Sequence, residues 1–157
     1  MATDEQKKAR RLKLCNDIIF GFAKGLYDLF GESALATVDE IGEDIIEEME
    51  HEMGLEIHGE DPQSILTELE RLLVDEYDMC THASLKVEDH EVDVYIENCM
   101  FWHATMELKR EGIPPFTCVP MMIAEAALHK RLGKKAHFVG ITHDEAKKVC
   151  DIDFHLT

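Results

Sequence analysis

The hydrophobic period of the chain changes at Met79, and this change limits the possible folds more than any other feature. Before Met79, apolar residues recur at the three-to-four-residue spacing of amphipathic helices. From Met79 to Ile96 they alternate with polar residues, as in strands with one buried face. The pattern therefore predicts helices packed against a sheet built from hairpins.

Three helices are predicted before this change. The first runs from Asp4 to Phe30 and the second from Ser33 to about Met53, with Gly54 as a natural stop. The third begins at Asp61-Pro62, an N-cap residue and a first-turn proline, and reaches about Tyr77. The first helix carries an apolar stripe that is wide enough for burial: Leu12, Cys15, Ile18, Ile19, Phe22, Leu26, Leu29 and Phe30.

Two hairpins and two further helices complete the predicted order. The first hairpin turns at Asp89-His90, and the helices follow over 99–111 and 118–132. The second hairpin joins strands over 135–141 and 148–156. We therefore predict an α+β fold in a single domain, residues 1–157, with an antiparallel sheet of about four strands packed against a helical layer.

The net charge restricts the partners. Sixteen basic and 33 acidic residues give a formal charge of −17, which repels nucleic acid and anionic membranes. No run of apolar residues is long enough for a membrane span, and the polar start "MATDEQKKARRLKL" does not lead into a signal-peptide core. We therefore expect a cytoplasmic protein.

The five cysteines are an odd number, so a disulfide framework is not expected. Cys99 and His103 lie four residues apart on a predicted helix and project side by side. Cys118 opens the next helix, where free N–H groups favour a thiolate, and Cys150 faces inward on the last strand. These residues suggest a metal site; the alternative is core thiols beside a solvated imidazole.

Four segments together resemble the 4-vinyl reductase domain family, also called hydrocarbon-binding. They are "IIFGFAKGLYDLFGESALATVDEIG", the central hairpin, "PPFTC" and the late strand "VCDIDF". The resemblance implies an α/β domain that encloses an apolar pocket for a small organic molecule and is often dimeric. It also implies a structural zinc, held in related sensor domains by cysteines that match Cys118 and Cys150 and by a Glu-x-x-Cys pair.

The chain departs from the family at that pair, because Val139 and Thr142 stand about where its two ligands should be. Replacement ligands are expected on neighbouring elements, and Cys99, Cys118 and Cys150 with either His103 or His143 would form a tetrahedral zinc-like site. Iron, an iron–sulfur cluster and haem are the alternative cofactors. The predicted ligand set is Cys99, His103, Cys118, His143 and Cys150.

Aromatic and thioether side chains form the predicted ligand pocket, because methionines adapt to irregular ligand shapes. The alternative is that they are ordinary core residues. The predicted set is Phe22, Tyr27, Phe101, Trp102, Met106, Phe116, Met121 and Met122.

The leading functional prediction is a sensor or carrier that binds a small apolar or aromatic molecule beside a Cys/His structural metal site. Its expected partners are a second copy in a homodimer and a separate protein that receives the signal. A metal-dependent or reductase-type enzyme is the first alternative, although the chain has no nucleotide-binding glycine motif and no nucleophile elbow. A dimeric scaffold or assembly subunit is the second alternative.

Overall fold

The computed structural model describes all 157 residues. A short 3₁₀ helix spans Gly31–Thr37, and a π-helical turn, Leu72–Glu76, extends the third α-helix. No helix is both long enough and apolar enough to cross a membrane. The regular elements are α1 (Asp4–Phe30), α2 (Val38–His51), α3 (Pro62–Arg71), β1 (His82–Glu88), β2 (Glu91–Glu97), α4 (Trp102–Arg110), α5 (Val119–Leu132), β3 (Ala136–Asp144) and β4 (Val149–Leu156).

The chain divides into two compact units. The first unit comprises Met1–Val38 and Met100–Cys118, and so contains α1 and α4. The second unit comprises Asp39–Cys99 and Val119–Thr157, and contains α3, α5, the four strands and all of α2 after Val38. The division into two compact units does not decide how many domains the chain forms, so the single domain over residues 1–157 stays a prediction.

In the first unit, α1 and α4 are joined through a buried asparagine. The Asn16 side-chain amide donates to the Met100 carbonyl at 2.8 Å, and its oxygen accepts from the Ala104 N–H at 3.0 Å. Asn16 and Ala23 are the buried residues of α1, and Ile19 and Leu26 beside them are half-buried, so the packed face overlaps the predicted apolar stripe only in part. Six apolar residues of α1 are exposed instead: Leu12, Leu14, Ile18, Phe22, Leu29 and Phe30.

In the second unit, the four strands form one antiparallel sheet in the order β1-β2-β4-β3. One face is buried, with Leu85, Val94 and Ile152 fully enclosed. Helix α3 packs against β1, and α5 packs against α3 and β3. The predicted α+β class, with an antiparallel sheet and a helical layer, is confirmed.

The largest differences from the predicted boundaries are at the starts of β1, α2 and α4 and at the end of β3. Strand β1 begins at His82 rather than Met79. Residues 31–37 form the 3₁₀ helix rather than the start of α2, because the left-handed Gly31 (φ 57°) ends α1 and the chain re-enters a tighter helix. Helix α4 starts at Trp102 rather than Cys99, after the left-handed Asn98. Strand β3 continues to Asp144, which brings His143 into the pairing with β4.

Candidate ligand-binding cavity

An apolar cavity of about 400 Å³ lies within the second unit. Side chains of α2 form one wall, and the other walls come from the π turn, the residues that follow it, and the first part of α5. Only Asp44 and Glu48 are charged, and both are exposed. The lining residues are Ile41, Asp44, Ile45, Glu48, Met49, Met53, Leu73, Tyr77, Met79, Val119 and Ile123.

The π turn shapes one wall of the apolar cavity. The Tyr77 N–H donates to the Leu72 carbonyl five residues back, at 3.0 Å, and the Met79 N–H donates to the Leu73 carbonyl at 2.8 Å. The turn therefore widens the end of α3, and such turns often occur at functional sites. Between these two bonds lies Asp78, whose left-handed backbone (φ 49°) redirects the chain.

Tyr77 is held against the cavity wall by its hydroxyl group, which donates to the Met53 sulfur at 3.1 Å. Burial raises the pKa of this hydroxyl, and the neighbouring Glu76 carboxylate adds to the effect. Tyr77 is therefore neutral at physiological pH. It presents a ring and one polar group beside the flexible thioethers of Met49, Met53 and Met79.

None of the eight residues predicted to form a pocket lines this cavity. Met121 and Met122 are buried in α5 of the second unit, and the other six belong to the first unit. There the rings of Tyr27 and Phe116 have centroids 6.5 Å apart, whereas Phe22 is 71% exposed. The predicted pocket residues stay a prediction, separate from the cavity described here.

Three of the five predicted metal ligands lie at one end of the sheet. His143 on β3 is the cross-strand partner of Cys150 on β4, and Cys150 in turn faces Ile96 on β2. Cys99 comes two residues after β2 ends, directly beyond Asn98, whose N–H donates to the Lys148 carbonyl at 2.8 Å. The register of three neighbouring strands thus places two thiols and one imidazole at the same end of the sheet.

The other two predicted ligands belong to the first unit. His103 lies on α4, with its Nε2 3.7 Å from an Asp17 carboxylate oxygen. Cys118 is buried, and its N–H donates to the Pro115 carbonyl at 3.1 Å. No group of three or more His, Cys, Asp or Glu side chains is arranged to hold a metal ion.

A protein-family model described as "Putative rubredoxin C-terminal domain" matches residues 15–154. The chain belongs to this family. No curated protein matches the chain. The family assignment therefore rests on the match to the family model.

Solved structures of H-NOX proteins resemble this member of the rubredoxin C-terminal domain family. A Cs H-NOX mutant that carries 4-cyano-L-phenylalanine has a TM-score of 0.51 and 9% identity, over 83% of this chain and 67% of that chain. A mutant of T. tengcongensis H-NOX has a TM-score of 0.47 and 10% identity, over 83% and 68%. The first of these shows a shared fold.

The family match overturns the predicted resemblance to the 4-vinyl reductase domain. The hydrocarbon-binding assignment, the zinc ion and the dimer depended on that resemblance, and they are corrected with it. The error has a physical cause: helices, a hairpin, helices and a second hairpin give the same order of periodic segments in different α+β families. Two cysteines near that order of elements do not distinguish between them.

Proposed function

We propose that this member of the rubredoxin C-terminal domain family binds a small apolar molecule, as a sensor or a carrier. The observation that supports the proposal is the apolar cavity of about 400 Å³ within the second unit. Pockets for small molecules typically have volumes of about 300–1,000 Å³ and apolar walls with a few polar groups. The apolar cavity has both properties.

The composition of the walls favours an adaptable site. The thioether side chains of Met49, Met53 and Met79 have several rotatable bonds and can follow ligands of different shapes. Tyr77 adds an aromatic face and a hydroxyl group that can orient one polar atom of the ligand. Water in such a cavity finds few hydrogen-bonding partners, so an apolar ligand that displaces it gains free energy.

Binding can be tested with the neutral fluorescent probe N-phenyl-1-naphthylamine, excited in its own absorption band. We expect a saturable rise in fluorescence with the wild-type protein. Ile45→Trp fills the cavity with a larger ring, so we expect the affinity to fall at least about tenfold, a loss of about 1.4 kcal/mol. Val139→Trp is the matched control, because Val139 is exposed on β3 and does not line the cavity.

Two results would contradict the proposal. One is a linear, non-saturable response of the wild-type protein to the probe. The other is equal binding by the Ile45→Trp and Val139→Trp variants, which would place the bound probe outside the apolar cavity. Circular dichroism and the melting temperature of each variant establish that it is folded before binding is compared.

We propose, second, that iron binds at the end of the sheet that carries Cys99, His143 and Cys150. The support is the strand register that brings two thiols and an imidazole to one end of the sheet, since thiolate and imidazole are iron ligands. No three side chains form a ligand set as they stand, so iron binding requires their side chains to reorient. His103 and Cys118 stay predicted ligands, and the same assay tests them.

The iron proposal is tested by elemental analysis and visible absorption of protein purified without oxygen. We expect bound iron in the wild-type protein and a loss of at least half of it in Cys150→Ser. Cys15→Ser is the control, because Cys15 is exposed on α1 and is not a predicted ligand. The absorption spectrum distinguishes an iron ion, a cluster and haem. Equal iron in the two variants would exclude Cys150 as a ligand.

A further inference from the structure

A second concave site, the polar cleft, lies within the second unit and has a volume of about 360 Å³. It is bounded by the first turns of α2, by α5, and by the start of β3. Three carboxylates face it, together with two imidazoles and one lysine. The lining residues are Asp39, Glu43, Glu125, Ala126, His129, Lys135, Ala136 and His137.

Glu125 is the unusual residue of the polar cleft. Its side chain is only 9% exposed, and no N–H or O–H group of the protein donates a hydrogen bond to it. Burial, with a smaller contribution from the Asp39 carboxylate, raises the pKa of Glu125 to about 7. The Glu125 oxygens are not among the fully buried polar atoms that lack a partner, so the carboxylate is open to the cleft, where a ligand can donate to it.

The neighbouring side chains do not supply this partner. The Nδ1 of His129 lies 2.8 Å from a Glu43 oxygen, and the Nε2 of His137 lies 3.0 Å from the Thr157 hydroxyl. Lys135 is exposed and forms no ion pair with the carboxylates of the cleft. Glu125 therefore has no hydrogen-bond donor among the side chains that line the cleft.

The chemistry of the cleft selects the kind of donor. The methyl groups of Ala126 and Ala136 provide apolar contact beside the carboxylates. An organic cation combines the two features, because its nitrogen donates to carboxylates while its carbon chain covers the methyl groups.

We propose that the polar cleft binds a small alkylammonium compound whose protonated nitrogen donates to the Glu125 carboxylate. The site lies apart from the apolar cavity and takes a different class of ligand, so it goes beyond the proposed function. Either binding site can be present without the other. Loss of probe binding to the apolar cavity would not affect this proposal.

The site makes binding dependent on pH. The ammonium needs the ionised form of Glu125, which is about nine tenths populated at pH 8 and about one tenth at pH 6. Affinity should therefore fall about tenfold as the pH is lowered from 8 to 6. The other titratable groups that face Glu125 are Asp39 and Glu43 on α2, His129 on α5, and Lys135 and His137 near β3.

The experiment is an NMR titration of the ¹⁵N-labelled full chain with n-butylammonium, with the neutral 1-butanol as the comparison ligand. We expect chemical-shift changes around Glu125 with the ammonium and much weaker changes with the alcohol. Glu125→Gln keeps the shape and removes the charge, so we expect affinity to fall at least about tenfold. Glu47→Gln is the control, because Glu47 is exposed on α2 outside the cleft.

A direct titration of the Glu125 side-chain carboxyl carbon gives a second readout. Saturating butylammonium should lower the pKa of Glu125 below its value in the free protein, because the ligand stabilises the ionised form. The proposal is overturned if the ammonium and the alcohol bind equally, or if Glu125→Gln binds the ammonium as tightly as the wild type does. It is also overturned if the protein shows no binding of the ammonium because Lys135 forms an ion pair with Glu125.

Discussion

At the residue scale, Glu125 links the stability of the protein to pH. Its pKa in the folded protein is about 7, against an ordinary value of 4.5, so the folded chain binds this proton more tightly than the unfolded chain does. The stabilising contribution is therefore complete below about pH 4.5 and is lost as the pH rises through 7. A difference of this size corresponds to roughly 3 kcal/mol.

We predict that Glu125→Gln and the wild type have similar free energies of unfolding near pH 4.5. By pH 8 the variant should be more stable by up to roughly 3 kcal/mol, because glutamine carries no charge to bury. Urea denaturation across this pH range, without any ammonium ligand, measures the difference. A difference between the two proteins that does not change with pH would show that Glu125 is ionised equally in the folded and unfolded chains.

Sequence patterns described the residues less well than the elements. The sequence pattern places Asn16 in a helix with an apolar stripe, whereas in the structure its buried side chain joins α1 to α4 through two backbone groups. Periodicity alone does not reveal which long-range carbonyl or N–H an asparagine will meet. Glu125 could have been singled out from the sequence, because it is the only charged residue from Met121 to Leu128 in an otherwise apolar helix.

At the element scale, the approach of α2 to α5 depends on one glycine. A Cβ atom on Gly42 would lie 2.5 Å from the Met122 carbonyl oxygen, closer than real Cβ contacts come to backbone atoms. Any side chain at this position therefore pushes the two helices apart. The glycines of α1 differ, because a Cβ atom on Gly21 or Gly25 would meet nothing within 4 Å.

We predict that Gly42→Ala lowers the free energy of unfolding by about 1–3 kcal/mol, the usual cost of overpacking. Gly21→Ala is the matched control in a helix, and it should raise stability by about 0.5–1 kcal/mol through helix propensity. Chemical denaturation of both variants provides the comparison. A Gly42→Ala variant as stable as Gly21→Ala would mean that α2 moves away from α5 at no measurable cost.

The periodic elements were predictable because each one shows its buried face in the sequence. The alternation in β1, β2 and β4 matches the observed inward residues, and α3 begins at the predicted Asp61-Pro62 cap. The 3₁₀ helix was missed, because Gly31–Thr37 has no hydrophobic period of its own. The apolar cavity was missed because Leu73 and Met49 follow the same helical pattern whether they pack against core or line a cavity.

At the scale of the whole molecule, the excess of acidic residues sets the response to salt. The chain has 16 basic and 33 acidic residues, so repulsion between carboxylates opposes the folded state. We predict that the melting temperature at pH 8 rises by several degrees between about 0.01 M and about 1 M NaCl, as the Debye length shortens from about 30 to about 3 Å. Calorimetry measures it.

A melting temperature that falls with salt would give the opposite conclusion. It would mean that surface ion pairs, such as those of Arg71 with Glu68 and Glu76, contribute more than the net repulsion. Arg71→Gln then serves as the check, because it removes these pairs and makes the net charge more negative.

The sequence was sufficient for the fold class of the molecule and insufficient for its family. The class follows from burial patterns that any sequence with this order of helices and hairpins must satisfy. The family depends on side chains distributed over residues 15–154, of which Cys118 and Cys150 are only two. The four segments that resemble the 4-vinyl reductase domain, with their two cysteines, gave an assignment that the match over residues 15–154 corrected.

The strand order has a consequence for the speed of folding. The central strands β2 and β4 belong to different hairpins, which are separated by residues 98–135, a stretch that contains α4 and α5. Each hairpin can close within microseconds, but the pairing of β2 with β4 must first bring distant parts of the chain together. The rate-limiting step of refolding is therefore expected at the β2–β4 seam, and substitutions there should slow folding more than substitutions within either hairpin.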